Sequence, residues 1–146
     1  MKDSYLGTFG VLGLITSFLL KGNALLLLDS SQIPLALVLM HSYPRFGAVL
    51  LQNISSYVQR DEHSKMRLLA APHSPWRLLF AGLASVVLAA LLVEGIFLLG
   101  FLVGGFVIVL LMRRYLNKRL GGYTGDCLGA LEQILELFVV LWLALF

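Results

Sequence analysis

Four long, predominantly apolar stretches leave this chain few ways to fold: residues 6–28 (interrupted by Lys21 and Asn23), 33–58, 78–112 and 128–146. A hydrocarbon core about 30 Å thick takes roughly 20 helical residues to cross, so each stretch is long enough to span. The third, at 35 residues, would reach roughly 50 Å as a single helix. It therefore reads as a helical hairpin turning near Glu94 and Gly95. Composition agrees, with 59% hydrophobic and 13% charged residues against roughly 25% charged in soluble domains. The expected fold is all-α: a polytopic integral membrane bundle of about five transmembrane helices. No second domain, low-complexity tail or internal repeat stands out, so residues 1–146 read as one membrane domain.

Charge sets the expected orientation. Arg60, Lys65, Arg67 and Arg77 lie between the second and third spans, and Arg113, Arg114, Lys118 and Arg119 between the fourth and fifth. With five spans both loops fall on one side together with Lys2. The linker at 29–32 and the turn at Glu94 carry no basic residue. Short loops rich in Lys and Arg stay cytoplasmic, which puts the basic loops inside a bacterial plasma (inner) membrane. Met1 to Tyr5 shows no cleavable leader pattern, and the first apolar run reads as a retained span. The single cysteine, Cys127, forms no internal disulfide. A net charge of +3, clustered at loops, does not argue for nucleic acid.

The polar residues inside or beside the spans are the candidates for chemistry. Between Arg113 and Glu136 the sequence reads RRYLNKRLGGYTGDCLGALEQILE. Gly121, Gly122 and Gly125 permit a sharp bend and a close ligand approach. Asp126 stands where the last helix should begin, as an N-cap. At about 100° per residue, Asp126, Gly129, Glu132, Gln133 and Glu136 share an arc of roughly 120°. A glycine-rich turn, a helix N-terminus and the cations Arg113, Arg114, Lys118 and Arg119 suit a phosphate-bearing ligand. The carboxylates Asp126, Glu132 and Glu136 suit Mg²⁺. The bland alternative treats the cations as topology anchors and Asp126 as a cap. Paired carboxylates inside an apolar span are costly and usually functional.

On the first helix Asp3, Gly7, Gly10, Ser17 and Lys21 share a stripe of roughly 80° suited to close helix packing. Asp3 lies at the cytoplasmic end, and Lys21 near the outer interface where it can snorkel. Arg45 falls mid-span beside Pro44, where an arginine faces protein or water. His41 reads as a bundle hydrogen-bonder, and His63 and His73 as solvated loop residues. Trp76 and Trp142 read as interfacial anchors.

The segment GGYTGDCLGALEQILE resembles the C-terminal signature of the cobalamin synthase (adenosylcobinamide-GDP ribazoletransferase) family, GG-x-TGD-x-LGA-x-x-E-x-x-x-E. Gly121, Gly122, Thr124, Gly125, Asp126, Leu128, Gly129, Ala130, Glu132 and Glu136 carry the match. Met1 to Ser4, Gly7, Gly10 and Lys21 resemble an internal family segment, and Arg45-Phe46 matches the family's Arg followed by an aromatic.

The resemblance implies a transferase of cobalamin biosynthesis that joins adenosylcobinamide-GDP to α-ribazole or its 5′-phosphate and releases GMP. It implies Mg²⁺, with Asp126, Glu132 and Glu136 as candidate catalytic groups and metal ligands. Gly121, Gly122, Thr124, Gly125, Arg113, Arg114, Lys118, Arg119, Asp3 and Arg45 would bind substrate or phosphate. The family's chains begin earlier and carry an acidic segment resembling DGLADTADG, which this sequence lacks. The expectation is thus the C-terminal part of a longer fold, inactive alone, with an N-terminal half polypeptide or a second copy as partner. The rival from another class is a small transporter subunit or a scaffold, distinguished by transport without GMP release.

Overall fold

The computed structural model describes residues 8–58 and 74–146. Five helices make up that part: α1 (Thr8–Leu26), α2 (Ile33–Ile54), α3 (Pro75–Ala90), α4 (Gly95–Leu120) and α5 (Gly125–Leu145). The expected hairpin is present. α3 ends where Val93 N–H closes on the Ala89 carbonyl at 2.9 Å, and α4 restarts at Gly95 after a turn through 91–94. Three helices, α2, α4 and α5, are long and apolar enough to cross a membrane. α1 and α3 are shorter apolar helices; the 16 residues of α3 rise about 24 Å, short of a full hydrocarbon core. Pro75, in the first helical turn after Ser74, starts α3 and the turn at 91–94 stops it.

Large apolar side chains face outward from every helix, among them Phe18, Leu26, Phe80, Val87, Ile96 and Leu111. Such a girdle would drive aggregation in water and is the ordinary surface of a bundle in lipid. The protein is a multi-pass membrane protein.

α5 packs against α1, α2 and α4, and α2 packs against α3, α4 and α5. The core between them holds Leu39, Leu51, Phe101, Leu131, Leu135 and Val139, all fully buried. Lipid tails are as apolar as leucine, so close van der Waals approach rather than water exclusion must hold such helices together. Glycines on α4 allow that approach. Gly105 lies against the Tyr43 ring of α2, while Gly100 and Gly104 lie against Trp142 and Phe138 of α5. Phe101 completes this layer, 4.7 Å from the Tyr43 ring centre and 5.4 Å from that of Phe138.

Two sequence expectations change here. The close-packing glycines lie on α2, α3 and α4, whereas of the stripe expected on α1 Gly10 is exposed and Ser17 and Lys21 are half-buried. Trp142 belongs to the aromatic layer, with its indole Nε1 buried and unpartnered among the described residues, instead of anchoring at an interface. Trp76, by contrast, is exposed at the start of α3. Buried Ser85 avoids an unmet donor by bonding the Ala81 carbonyl one turn back at 2.9 Å.

Candidate functional site

The chain direction of the helices gathers 55–58, the start of α3 and the turn at 121–124 at one end of the bundle. α4 ends on Gly121, whose left-handed φ of 77° closes the helix as its N–H bonds the Asn117 carbonyl at 3.1 Å. That backbone conformation favours glycine over any residue with a Cβ. Gly122 packs so closely on the Ser56 carbonyl that any side chain there would collide with it. Tyr123 then forms a single bridge with the strand-like residues after α2: its N–H bonds the Ser56 carbonyl at 2.9 Å, and Val58 N–H bonds its carbonyl at 3.1 Å. Two adjacent glycines thus let the turn dock against the end of α2.

Tyr123 is buried, with its ring edge-on to Tyr57 at 5.5 Å. Its hydroxyl has no partner among the described residues. Burial first, then the neighbouring Tyr57, pushes its phenol above the usual value. Thr124 holds the N-cap position of α5 and donates its hydroxyl to Cys127 Sγ at 3.1 Å. Asp126 is therefore not the cap. It is the second helical residue, exposed, where its charge favours the helix dipole.

The three candidate carboxylates do not converge. Glu132 lies six residues and Glu136 ten residues below Asp126 on the same straight element, about 9 and 15 Å along the axis. Magnesium–oxygen bonds of about 2.0–2.1 Å cannot bridge such spacings. Among the described residues no three His, Cys, Asp or Glu side chains gather into a metal-holding group. Glu136, moreover, is engaged. Lys21 of α1 donates to Glu136 Oε2 at 2.5 Å and to Gln133 Oε1 at 2.7 Å. Gln133 adds a 3.3 Å bond to the same Glu136 oxygen. Lys21, expected to snorkel outward, instead ties α1 to α5, because a paired ammonium is far cheaper at that depth than a free one.

Arg113, Arg114, Lys118 and Arg119 are exposed on the last turns of α4, at the same end as the turn and Asp126. Arg45 is elsewhere. It is exposed near the middle of α2, nine residues from Ile54 and so about 14 Å deep. Asp3, Arg60, His63, Lys65, Arg67 and His73 lie outside the described residues.

Sequence reasoning overlooked Tyr123, Ser56 and Tyr57, which seat the turn, and the Lys21–Gln133 contact. The two bulky tyrosines beside otherwise small or polar residues were the available signal; their pairing across the chain was not.

Known proteins resemble the chain in sequence. An adenosylcobinamide-GDP ribazoletransferase of Shewanella piezotolerans is 37% identical over 146 residues, covering 98% of this chain and 56% of that protein. The protein of the same name from Shewanella amazonensis is 40% identical over 149 residues, covering 99% of this chain and 57% of the relative. That of Shewanella oneidensis is 39% identical over 144 residues, covering 94% and 53%. The chain thus spans little more than half the length of these relatives. No solved structure matches. The pattern of one sequence family runs through residues 1–144, including the glycine turn and the start of α5. By that match the chain belongs to the cobalamin-5-phosphate synthase family.

Proposed function

We propose that this chain is the membrane-embedded C-terminal part of a transferase that joins adenosylcobinamide-GDP to α-ribazole or its 5′-phosphate and releases GMP. The observation that carries the reading is the built turn at 121–124, where two glycines, the N-terminus of α5, exposed Asp126 and four exposed cations share one end of the bundle. The free backbone N–H groups of the first turn of α5 suit a phosphate oxygen. Arg113, Arg114, Lys118 and Arg119 draw in a multiply anionic nucleotide. Gly121, beside which a side chain would meet nothing, leaves room for it, and the Thr124 hydroxyl beside Cys127 is within the same turn.

In the reaction a ribose hydroxyl of the ribazole attacks the cobinamide-side phosphorus. A new P–O bond forms, the pyrophosphate bridge breaks, and GMP departs with the bridging oxygen. Asp126, exposed and unpaired among the described residues, would take the hydroxyl proton. Most of the acceleration would come from positioning and charge neutralisation. Mg²⁺ belongs to the proposal through Asp126, since its usual site combines one or two carboxylates with substrate phosphates. Glu132 and Glu136 are too deep to join that ion. Asp3 and Arg45 are further substrate-binding candidates carried by the family resemblance.

The basic end would face the cytoplasm of a bacterium whose inner membrane holds the protein. A polypeptide supplying the remaining family length, or a second copy, would complete the enzyme. GMP release by membranes carrying the chain, assayed with both substrates, tests this. No release from the chain alone, and release once the remaining family portion is co-expressed, is expected. Robust release from the purified chain alone would overturn the requirement for a partner, and none with the partner present would overturn the activity.

A further inference from the structure

α2 buries one face and leaves the other open. Its interior side chains reach three helices: Tyr43 meets Phe101 and Gly105 of α4, Phe46 meets Gly82 of α3, and Gly47 lies against Leu135 of α5. On the opposite side Leu37, Val38, His41 and Arg45 are exposed and Ser42 is half-buried. These five residues line a shallow groove of about 540 Å³. Arg45 sits about 14 Å from the basic end of the helix, near mid-membrane.

A guanidinium carries five N–H donors in a fixed planar fork and no acceptor. Left unpaired at the centre of a transmembrane helix, such a group is costly. Among the described residues Arg45 has no salt bridge and no hydrogen bond. The other mid-span cation, Lys21, is by contrast fully engaged with Glu136 and Gln133. The described carboxylates do not serve Arg45 either. Asp29 and Glu94 lie at the opposite end, Asp126 lies at the basic end, Glu136 is occupied, and half-buried Glu132 carries no bond to it.

We propose that the open face of α2 seats a further transmembrane helix that presents one carboxylate at mid-depth to Arg45. Charge complementarity selects the occupant. A planar guanidinium pairs with a carboxylate through two parallel hydrogen bonds, and desolvation in lipid strengthens that pairing. His41, one turn away, and Ser42 supply further hydrogen-bonding groups, while Leu37 and Val38 offer apolar packing. The relatives extend over nearly twice the length covered here, which leaves ample room for such a helix. The seat uses no residue of the glycine turn, and it gives Arg45 a role other than the substrate binding that the family resemblance suggests.

The test uses the purified chain in lipid vesicles with a photo-crosslinking side chain at Val38 and, as a lipid-facing control, at Val107 of α4. The probes are two 21-residue Leu/Ala transmembrane peptides, one with a central Glu and one with a central Gln. Val38 should capture the Glu peptide at least tenfold more than the Gln peptide, and Val107 should show no preference. Arg45→Gln should abolish the preference and Arg45→Lys should retain much of it, with circular dichroism confirming that both variants are folded. Equal capture of the two peptides, a preference that survives Arg45→Gln, or adducts at Val38 only between copies of the chain would each overturn the proposal.

Discussion

Changing Asp126 to Asn removes a charge while keeping size and hydrogen-bonding capacity. Because Asp126 is the second residue of α5 and Thr124 holds the cap, the structural cost should be confined to the dipole interaction, about 0.3–1 kcal/mol. In a complete enzyme carrying this segment, Asp126→Asn should insert normally yet lose at least about tenfold in turnover, or roughly 1.4 kcal/mol. Steady-state kinetics with a magnesium titration reads both. Partial recovery at high Mg²⁺ points to metal holding, an unresponsive loss to proton transfer, and wild-type turnover removes Asp126 from the chemistry. Glu136 obeys different physics. Its side chain is 19% exposed and its Lys21 partner 16%, so Glu136→Gln leaves an ammonium uncompensated inside the bundle. A loss of about 3 kcal/mol is expected in detergent unfolding titrations. The double change Lys21→Leu with Glu136→Leu should recover most of it. Equal losses in the single and double variants would mean the pair does not hold α1 to α5.

Between elements, several of the closest contacts are made where α2, α3 and α4 carry glycine. A Cβ at Gly105 would strike the Tyr43 ring, which is itself buried against Phe101. Gly105→Leu should therefore separate α2 from α4 at a cost of at least about 1–3 kcal/mol, as overpacking usually does. At Gly13 of α1, where an added Cβ meets nothing, Gly13→Ala should be neutral or slightly stabilising, since alanine favours helix by about 1 kcal/mol over glycine. Thermal unfolding of the two variants side by side checks the contrast. A similar cost at both positions would show that α1 is packed as closely as α4.

For the molecule as a whole, the two ends differ in charge. The described cations other than Lys21 and Arg45 lie at the end that holds the 121–124 turn, while Asp29 and Glu94 lie at the other. A cytoplasmic basic end is the outcome expected of short loops rich in Lys and Arg. Lys118→Cys in a Cys127→Ser background places a thiol at an exposed position there. A membrane-impermeant maleimide should label it in inverted vesicles and leave intact cells unlabelled. The reverse pattern would invert the topology and with it the side from which the nucleotide arrives.

The all-helical class, the hairpin at Glu94 and the sharing of one end by the basic residues and the glycine turn were legible in the sequence. A bilayer tests each segment almost independently, for length, apolarity and flanking charge, and those are properties of a string. The glycine turn was equally legible, because its backbone demands are local. What the string does not contain is the rotation of each helix against its neighbours. Lys21 and Glu136 are 115 positions apart, and their pairing follows from how α1 meets α5. The same tertiary packing turned Trp142 inward, put the close-packed glycines on α2, α3 and α4, and left Arg45 facing out. The separation of Asp126 from Glu132 and Glu136, by contrast, is local helix geometry. A shared helical face read as a shared site, but a rise of about 1.5 Å per residue keeps residues on one face well apart.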